Sequence, residues 1–456
     1  MSGNRQFHFP KKYFYSCRES QHLYYNGERG VCVIVNRSGS DILGACNPFA
    51  TLDEVMRRVS LSAECLDIVK NKAGIFLDKM IEAQFLTTQP PLDMFSAANC
   101  ADAPAAKLND VYLHVTDACN ARCLYCYNAN QRKKALKQQK KGIRQQLTSG
   151  QICALFDEIA GCGAKNIIFT GGEPLMRPDL FKLAEQARLL GFSLSLLSNG
   201  TLIDADRAKK IAFFFDSVII SFDSCVKSEY KLLSPGASFE KAVAGITYLV
   251  KANVRRLSLR PVITRYNTES LPALAEFTVS RWPGVYFLPA LYLPNNFSDA
   301  HDFELVPDPA KYFQALDEFR ARLTGFGAGV TSDDVPLEAY GSCGAGGNGV
   351  ISIGSEGSVY PCQCLHKDEF ECGNISEKPL SWIIAHSPIL KTFRSKREAT
   401  SQACAECGLI SLCCSSCRFL RKEFEHTEKQ FLMRMCPFFK SEIEKRLWLE
   451  ANRQIK

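Results

Sequence analysis

The sequence predicts an α/β protein built around a partial barrel of six βα units, with a smaller domain before the barrel and a cysteine-rich domain after it. Three observations support this. Strand-like apolar runs alternate with helix-length amphipathic stretches between about residues 101 and 330. The first hundred residues lack that alternation, and ten of the 21 cysteines lie in residues 331–456. We therefore expect three domains, covering 1–100, 101–330 and 331–456.

Composition excludes several classes of protein. With 46% hydrophobic and 23% charged residues, the 456-residue chain is not mostly disordered. A net charge of +7 is too small for a dedicated nucleic-acid binder. No apolar run approaches the roughly 18 residues of a membrane span, and the polar N-terminus does not resemble a secretory signal. We expect a cytoplasmic protein, in which many cysteines indicate metal binding rather than disulfides.

The first domain, residues 1–100, is expected to be a small winged-helix-like module. Two strand-like segments, His22–Tyr25 and Val31–Val35, flank an Asn-Gly turn typical of a hairpin. Three helical stretches follow, at about Asp41–Cys46, Leu52–Val59 and Cys65–Ala83.

The central domain, residues 101–330, has the rhythm of parallel βαβ units. Its predicted strands are Val111–Val115, Asn166–Thr170, Ser193–Leu197, Ser217–Ser221, Leu257–Ile263 and Val285–Leu293. The predicted helices between them are Ser149–Ala160, Asp179–Leu190, Asp204–Phe215, Ser238–Ala252 and Glu269–Arg281. Six strands suit a partial barrel better than a closed eightfold one, and the chemistry should lie at the carboxyl ends of the strands.

Three cysteines follow the first barrel strand, as Cys119-x3-Cys123-x2-Cys126. Three thiolates at this spacing can bind three irons of a [4Fe–4S] cube and leave the fourth iron open. A zinc site is the alternative, but zinc normally takes four closing ligands, and no fourth Cys or His lies close in sequence.

This motif, with Tyr125 before its last cysteine, resembles that of the radical S-adenosylmethionine (SAM) enzymes. The resemblance continues at the ends of the next three strands, with Gly171-Gly172-Glu173-Pro174, Ser198-Asn199-Gly200 and Ser221-Phe222-Asp223. The SAM-contacting residues that it implies are Tyr125, Gly171, Gly172, Glu173, Pro174, Ser198, Asn199 and Ser221. Glu173 offers an anionic acceptor for the methionine ammonium. The sequence has Lys231 where the family often has an arginine, so the partner of the SAM carboxylate stays open.

The resemblance also implies the chemistry. The amine and carboxylate of SAM would bind the open iron, and one-electron reduction would yield a 5′-deoxyadenosyl radical that abstracts a hydrogen atom from the substrate. The protein would orient the reactants and exclude water. An electron donor such as flavodoxin or ferredoxin is then a required partner. The sequence assigns no catalytic acid or base.

The C-terminal cysteines resemble the SPASM domain of radical SAM enzymes that act on peptides and proteins. By that resemblance, Cys343, Cys362 and Cys417 would bind one auxiliary iron–sulfur cluster, and Cys404, Cys407, Cys413 and Cys436 a second, both expected to be [4Fe–4S]. The fourth ligand of the first cluster could be Cys364 or Cys372, or that iron could stay open for a substrate thiolate. Two structural zinc sites are the alternative.

The N-terminal module resembles the precursor-recognition element of peptide maturases, which binds a leader peptide as an added strand. A DNA-binding winged helix is disfavoured because the third helix lacks a strong basic cluster. A basic run, Arg132–Arg144, follows the central cysteines. It is expected to be a solvated, flexible loop, with steering of an acidic peptide as the alternative.

We therefore expect a radical SAM enzyme that modifies a ribosomally synthesised precursor peptide, by a thioether or carbon–carbon crosslink. A maturase of a whole protein, such as a sulfatase or a dehydrogenase subunit, and a peptide epimerase are the enzyme alternatives. In an epimerase, Cys364 or Cys372 could return the hydrogen atom. A zinc-stabilised peptide-binding scaffold is the non-enzyme alternative.

Overall fold

A computed structural model describes residues 5–59, 66–90, 108–142, 145–294, 303–325, 344–346, 349–394, 404, 406–413 and 434–454. These residues form two compact units. The barrel unit contains the described residues within 102–334 and 344–396, and the terminal unit those within 1–101 and 397–456. The predicted C-terminal domain is thus divided between the units. None of the described helices has both the length and the apolar character needed to cross a membrane.

The barrel unit is organised by one nine-stranded sheet. Its strand order is β12-β10-β9-β8-β7-β6-β14-β15-β16, in which the pairs from β12 to β14 are parallel and the last two pairs are antiparallel. The strands are β6 (Asp110–Thr116), β7 (Asn166–Gly171), β8 (Ser193–Ser198), β9 (Ser217–Ile220), β10 (Leu257–Leu259), β12 (Tyr286–Phe287), β14 (Val350–Ile353), β15 (Ser358–Tyr360) and β16 (Gly373–Asn374). The predicted fold class, a partial barrel within an α/β protein, is confirmed.

Helices lie between most of the strands along the chain, and the last two follow the final strand of the sheet. The helices are α4 (Ala129–Lys140), α5 (Ser149–Gly161), α6 (Leu180–Leu189), α7 (Ala205–Phe214), α8 (Lys227–Leu233), α9 (Phe239–Lys251), α10 (Leu271–Arg281), α11 (Pro309–Gly325), α12 (Leu380–His386) and α13 (Pro388–Arg394). Alternate strand residues such as Phe169, Leu196 and Ile220 are fully buried. This core fixes the carboxyl ends of the strands, where the predicted site residues lie.

Two predicted strands are each broken in two. The run predicted at Leu257–Ile263 forms β10 and a separate strand β11 (Val262–Ile263), and the run at Val285–Leu293 forms β12 and β13 (Ala290–Leu291). β11 and β13 pair with each other in a small parallel sheet. Pro261 and Pro289 lie at the two breaks, and proline cannot donate to a ladder hydrogen bond.

The predicted flexible loop after the central cysteines was wrong for its described part, because residues Ala129–Lys140 form helix α4. This stretch contains no glycine, proline or β-branched residue and is rich in good helix formers. One face of the helix, including Gln131, Lys134 and Gln138, lines a polar cavity of about 130 Å³. Lys134 forms an ion pair with Asp368 there.

The terminal unit contains the predicted hairpin, extended by one strand. Strands β2 (Tyr13–Arg18), β3 (Gln21–Asn26) and β4 (Val31–Asn36) form an antiparallel sheet in that order, and β1 (Gln6–His8) pairs with β5 (Phe49–Thr51). The helices are α1 (Arg37–Ala45), α2 (Leu52–Arg58), α3 (Leu66–Glu82), α14 (Ile410–Cys413) and α15 (Cys436–Gln454). One apolar cluster joins one sheet face to the N-terminal helices, and a second joins the opposite face to the C-terminal segment.

Candidate functional site

The loop that follows β6 carries Cys119, Cys123 and Cys126, and neighbouring loops fix its backbone. On one side the amides of Gly172 and Glu173 donate to the carbonyls of Thr116 and Ala118, at 2.7 and 2.8 Å. A Cβ on Gly172 would lie 2.1 Å from the carbonyl oxygen of Ala118, so only glycine permits this approach.

The loop between α8 and α9 holds the same segment from its other side. The backbone amides of Arg122 and Leu124 donate to the carbonyls of Pro235 and Leu233, at 2.7 and 2.9 Å. The cysteine loop is therefore fixed by backbone contacts from the end of β7 and from the α8–α9 segment, which the local motif alone did not reveal.

Each of the three sulfurs accepts a hydrogen bond. The backbone amide of Ala121 donates to Cys119 Sγ at 3.4 Å, and Ser234 Oγ donates to Cys123 Sγ at 3.2 Å. The Arg132 guanidinium donates to Cys126 Sγ at 3.7 Å. Donors aimed at sulfur stabilise thiolates and tune the reduction potential of an iron–sulfur cluster. The residues present therefore fit a cluster bound by three thiolates.

Burial supports the same conclusion. It raises the pKa of Cys119, and it raises the pKa of Cys123 to about 12, so both thiols are neutral near pH 7 without a metal. A bound metal deprotonates a coordinating thiol outright and supplies the positive charge that burial otherwise withholds. A loop with three half-buried thiols and sulfur-directed donors is thus suited to a metal cluster.

Glu173 is fully buried, and its carboxylate joins two strand ends. It accepts hydrogen bonds from the hydroxyl of Ser198 at 2.9 Å, from the amide of Asn199 at 2.8 Å and from the amide of Leu175 at 3.2 Å. Burial raises the pKa of Glu173, although these donors oppose the shift. The geometry thus gives Glu173 a role in positioning the ends of β7 and β8. The sequence predicted only a contact with the ammonium group of SAM.

Asn199 ties the end of β8 to the cysteine loop. Its amide donates to the side-chain oxygen of Asn120 at 2.8 Å, and its own oxygen accepts from the hydroxyl of Thr201 at 2.6 Å. The Asn120 amide in turn donates to Thr201 Oγ1 at 2.8 Å. These three hydrogen bonds form a closed network that joins the end of β8, the third barrel strand, to the cysteine loop.

Tyr125 is directed at Asp223, beyond the end of β9. Its hydroxyl donates to Asp223 Oδ2, while the other carboxylate oxygen accepts from the amide of Val262 at 2.9 Å. Burial raises the pKa of Asp223 to about 6. Ser234, which donates to Cys123, also lies within 3.5 Å of this carboxylate. Sequence reasoning named Asp223 but not its part in holding Tyr125.

The other predicted SAM contacts lie at the strand ends as expected from the motif. Gly171 adopts a positive φ of 132°, and Pro174 begins a 3₁₀ turn that Glu173 caps. Ser221 is half-buried, and its amide donates to the carbonyl of Ser198 at 3.0 Å. Lys231 is exposed on α8. The roles of these residues in SAM binding stay predictions.

The predicted ligands of the first auxiliary cluster are only partly within the described residues, because Cys343 and Cys417 lie outside them. Cys362 and Cys364 lie on the turn after β15, where the Cys364 thiol forms a hydrogen bond with Cys362 near the guanidinium of Arg260. The Cys372 thiol instead donates to the carbonyl of Phe370 at 3.3 Å. Of the two candidates for the fourth ligand, Cys364 is the one beside Cys362.

The four predicted ligands of the second auxiliary cluster lie close together in the terminal unit. Burial, together with the smaller effect of the neighbouring thiols, raises the pKa of Cys413 to about 12. Those neighbours are Cys436, Cys407 and Cys404.

Single structural zinc ions are the alternative for these cysteines. Four thiolates around one zinc ion lie roughly 3.8 Å apart, because each Zn–S bond is about 2.3 Å. Among the residues that the structure describes, no three His, Cys, Asp or Glu side chains are grouped closely enough for one metal ion.

Comparisons with known proteins agree with this site. Residues 113–278 match the radical SAM superfamily, and residues 343–408 match the SPASM iron–sulfur cluster-binding domain. The chain is 27% identical over 342 residues to an AdoMet-dependent heme synthase of Nitratidesulfovibrio vulgaris, covering 69% of this chain and 88% of the relative. It is 26% identical over 312 residues to the mycofactocin maturase MftC of Mycolicibacterium smegmatis, covering 66% and 76%.

The structure of Streptococcus suis SuiB bound to its precursor peptide SuiA is similar in fold, with a TM-score of 0.56 and 14% sequence identity. The likeness covers 91% of this chain and 96% of SuiB. The barrel, the three-thiol loop and the cysteine-rich segment together define a radical SAM enzyme. More particularly, the chain is a radical SAM/SPASM protein, whose radical SAM domain binds a [4Fe–4S] cluster with SAM and whose SPASM domain binds auxiliary iron–sulfur clusters.

Proposed function

We propose that this enzyme modifies a ribosomally synthesised precursor peptide and forms a thioether or carbon–carbon crosslink in it. The observation that carries the proposal is the open edge of the antiparallel sheet in the terminal unit. Strand β2 pairs only with β3 among the described residues, and its Tyr13 and Tyr15 are exposed. A free strand edge presents N–H and C=O groups that an extended peptide can pair with.

This edge favours a peptide over the other substrate class that the relatives suggest. A heme or another porphyrin has no backbone amides, so it cannot extend a β-sheet, whereas a leader peptide can. Similarity to SuiB adds support, since an alignment over 91% of this chain leaves too few residues unmatched to omit the N-terminal sheet and its helices. Heme-type chemistry is the second candidate, because several relatives are named heme synthases.

The residues of the barrel unit have defined tasks in such a reaction. When bound, the cluster and SAM supply the oxidising radical that removes a hydrogen atom from an unactivated position. Cys119, Cys123 and Cys126 would bind the cluster, and the donors on their sulfurs hold the negative charge of the thiolates. Asp223 holds Tyr125 beside this loop, and buried Glu173 fixes the adjoining strand ends.

The number of hydrogens that the peptide loses tests this proposal. One crosslink removes two hydrogens from the peptide, one as a hydrogen atom and one as a proton with an electron, for which an auxiliary-cluster site is the candidate acceptor. We expect a short precursor peptide, encoded beside this protein and co-expressed with it anaerobically, to lose two hydrogens per modification in intact-mass spectrometry. A Cys123→Ala variant, which lacks one cluster ligand, should leave the peptide mass unchanged.

Three outcomes separate the candidates. Unchanged peptide mass with deuterium incorporated from deuterated water would support epimerisation instead of crosslinking. Unchanged mass without deuterium, together with conversion of an iron porphyrin by the reconstituted enzyme, would replace the peptide proposal by the heme-type candidate. Modification of a peptide whose leader segment has been deleted would contradict docking at the sheet edge.

A further inference from the structure

The two cysteine segments of the second auxiliary site are packed on the N-terminal sheet. Leu409 and Leu412, which lie between Cys407 and Cys413, belong to one apolar cluster with Leu23 and Tyr25 of β3. The same cluster contains Ile443, Leu447 and Trp448 of α15, the helix that begins at Cys436. Cys407 and Cys413 are themselves partly buried against it.

Close backbone contact joins the cysteine segment to β2. A Cβ placed on Gly408 would lie 1.9 Å from the carbonyl oxygen of Tyr13 and 2.8 Å from the amide nitrogen of Phe14. A Cβ on Gly27, in the turn between β3 and β4, would lie 2.3 Å from the carbonyl oxygen of Gly408. Two glycines therefore permit an approach that any side chain would prevent, directly beside Cys407.

Polar contacts fix the same interface. The hydroxyl of Tyr25 is 2.9 Å from that of Ser411, two residues before Cys413. On α15, Trp448 Nε1 donates to Ser16 Oγ at 3.2 Å, and Ser16 also donates to Glu444. The guanidinium of Arg18 lies 5.0 Å above the ring of Trp448.

We propose that the N-terminal sheet is part of the second auxiliary site, with Gly408 and Tyr25 as positioning residues for its cysteines. The four thiols come from two segments that both pack on this face of the sheet, so the sheet contributes to their spacing. Binding that requires a preformed spacing is reciprocal: the sheet favours cluster loading, and the loaded cluster stabilises the sheet. The proposal does not depend on a peptide substrate.

The test perturbs the sheet contact without removing any ligand. Gly408→Ala keeps all four cysteines but drives a methyl group into the backbone of β2. We expect the reconstituted full-length chain to lose about four irons, the content of one [4Fe–4S] cluster, and the corresponding part of its reduced EPR spectrum. Gly44→Ala is the matched control, because a Cβ at Gly44, in the same unit, meets no atom within 4 Å.

A milder pair of variants covers the case in which Gly408→Ala fails to fold. Tyr25→Phe removes the hydroxyl that contacts Ser411, whereas Tyr24→Phe removes a similar hydroxyl contact, to Ser40 at 2.8 Å on the opposite face of β3. We expect Tyr25→Phe to speed iron release from the second cluster to a chelator by roughly fivefold, the factor of one neutral hydrogen bond, and Tyr24→Phe to leave it unchanged.

Two results would overturn the proposal. One is wild-type iron content and EPR signature in folded Gly408→Ala. The other is equal iron release from the Tyr24→Phe and Tyr25→Phe variants, which would mean that general sheet stability, and not the contact with the cysteine segment, controls the cluster. Peptide modification is not measured, so failure here leaves the proposed function untouched.

Discussion

Replacing Glu173 by glutamine tests whether this residue acts by fixing the strand ends or by contacting SAM. The carboxylate accepts three hydrogen bonds inside the protein, two at Oε1 and one at Oε2. An amide can keep its oxygen toward Ser198 and Leu175, but its NH₂ group then faces the N–H of Asn199. Two hydrogen-bond donors, the glutamine NH₂ and the Asn199 N–H, would then face each other in a site that water does not reach.

The magnitude follows from these contacts. An unsatisfied buried donor costs about 1–3 kcal/mol. Glutamine also removes the penalty of burying a charge, the effect that raises the pKa of Glu173, so we expect a net loss near the middle of that range, about 2 kcal/mol. At roughly 2–4 °C per kcal/mol for a large domain, the melting temperature of the barrel unit should fall by at least about 4 °C.

The assay is thermal unfolding of the reconstituted protein without SAM, since a residue that only contacts SAM cannot affect stability in its absence. Glu185→Gln, on the exposed face of α6, is the matched control and should melt like the wild type. SAM affinity, measured by equilibrium dialysis, should fall in Glu173→Gln alone. Wild-type melting with weakened SAM binding would refute the positioning role and favour direct contact with the ammonium.

Two further predictions concern the barrel unit. Cys364→Ala should lower the iron content or alter the EPR signature of the first auxiliary cluster, whereas Cys372→Ala, whose thiol contacts a backbone carbonyl, should not; equal iron content in both variants would remove Cys364 as a ligand. Asp216 has a lowered pKa because donors, led by the amide of Leu194, outweigh the opposing effect of burial. A lowered pKa adds stability above the unfolded value of about 3.9, so Asp216→Asn should cost about 1–2 kcal/mol at pH 7 and progressively less below about pH 4, as urea unfolding would show; a pH-independent difference would contradict this.

The barrel was predictable because its signals are local. Each βα unit carries its own apolar strand and amphipathic helix, and the predicted strand Asn166–Thr170 differs from β7 by one residue. The prediction was wrong where a short-range signal was overlooked: Pro261 and Pro289 each divide a run that apolar content alone presented as one strand. The extra strand β2 was missed because its sequence, YFYSCR, lacks a regular apolar alternation.

For the candidate site, too, some features could be predicted from local sequence and others could not. Spacing alone predicted Cys119, Cys123 and Cys126 as cluster ligands, because thiolates that share a cluster must be close and a single loop can bring them together. Their hydrogen-bond donors could not be predicted. Ser234 lies 111 residues from Cys123 in sequence, and nothing near Ser234 indicates a contact with sulfur. Such partners depend on how separate strand ends meet, which is a property of the folded sheet.

The same reasoning explains why the first and last parts of the chain looked like separate domains. Each has its own local signature, a hairpin with helices in one and cysteine spacing in the other. Their joint apolar cluster is formed by residues more than 380 positions apart, such as Tyr25 and Leu409, and no periodicity links them. A cysteine-rich segment has little apolar surface of its own to bury, so it must pack on another element to become ordered. In this chain that element is the N-terminal sheet. A variant that lacks all residues before β6 should therefore lose the cluster at Cys404, Cys407, Cys413 and Cys436, even though every predicted ligand remains.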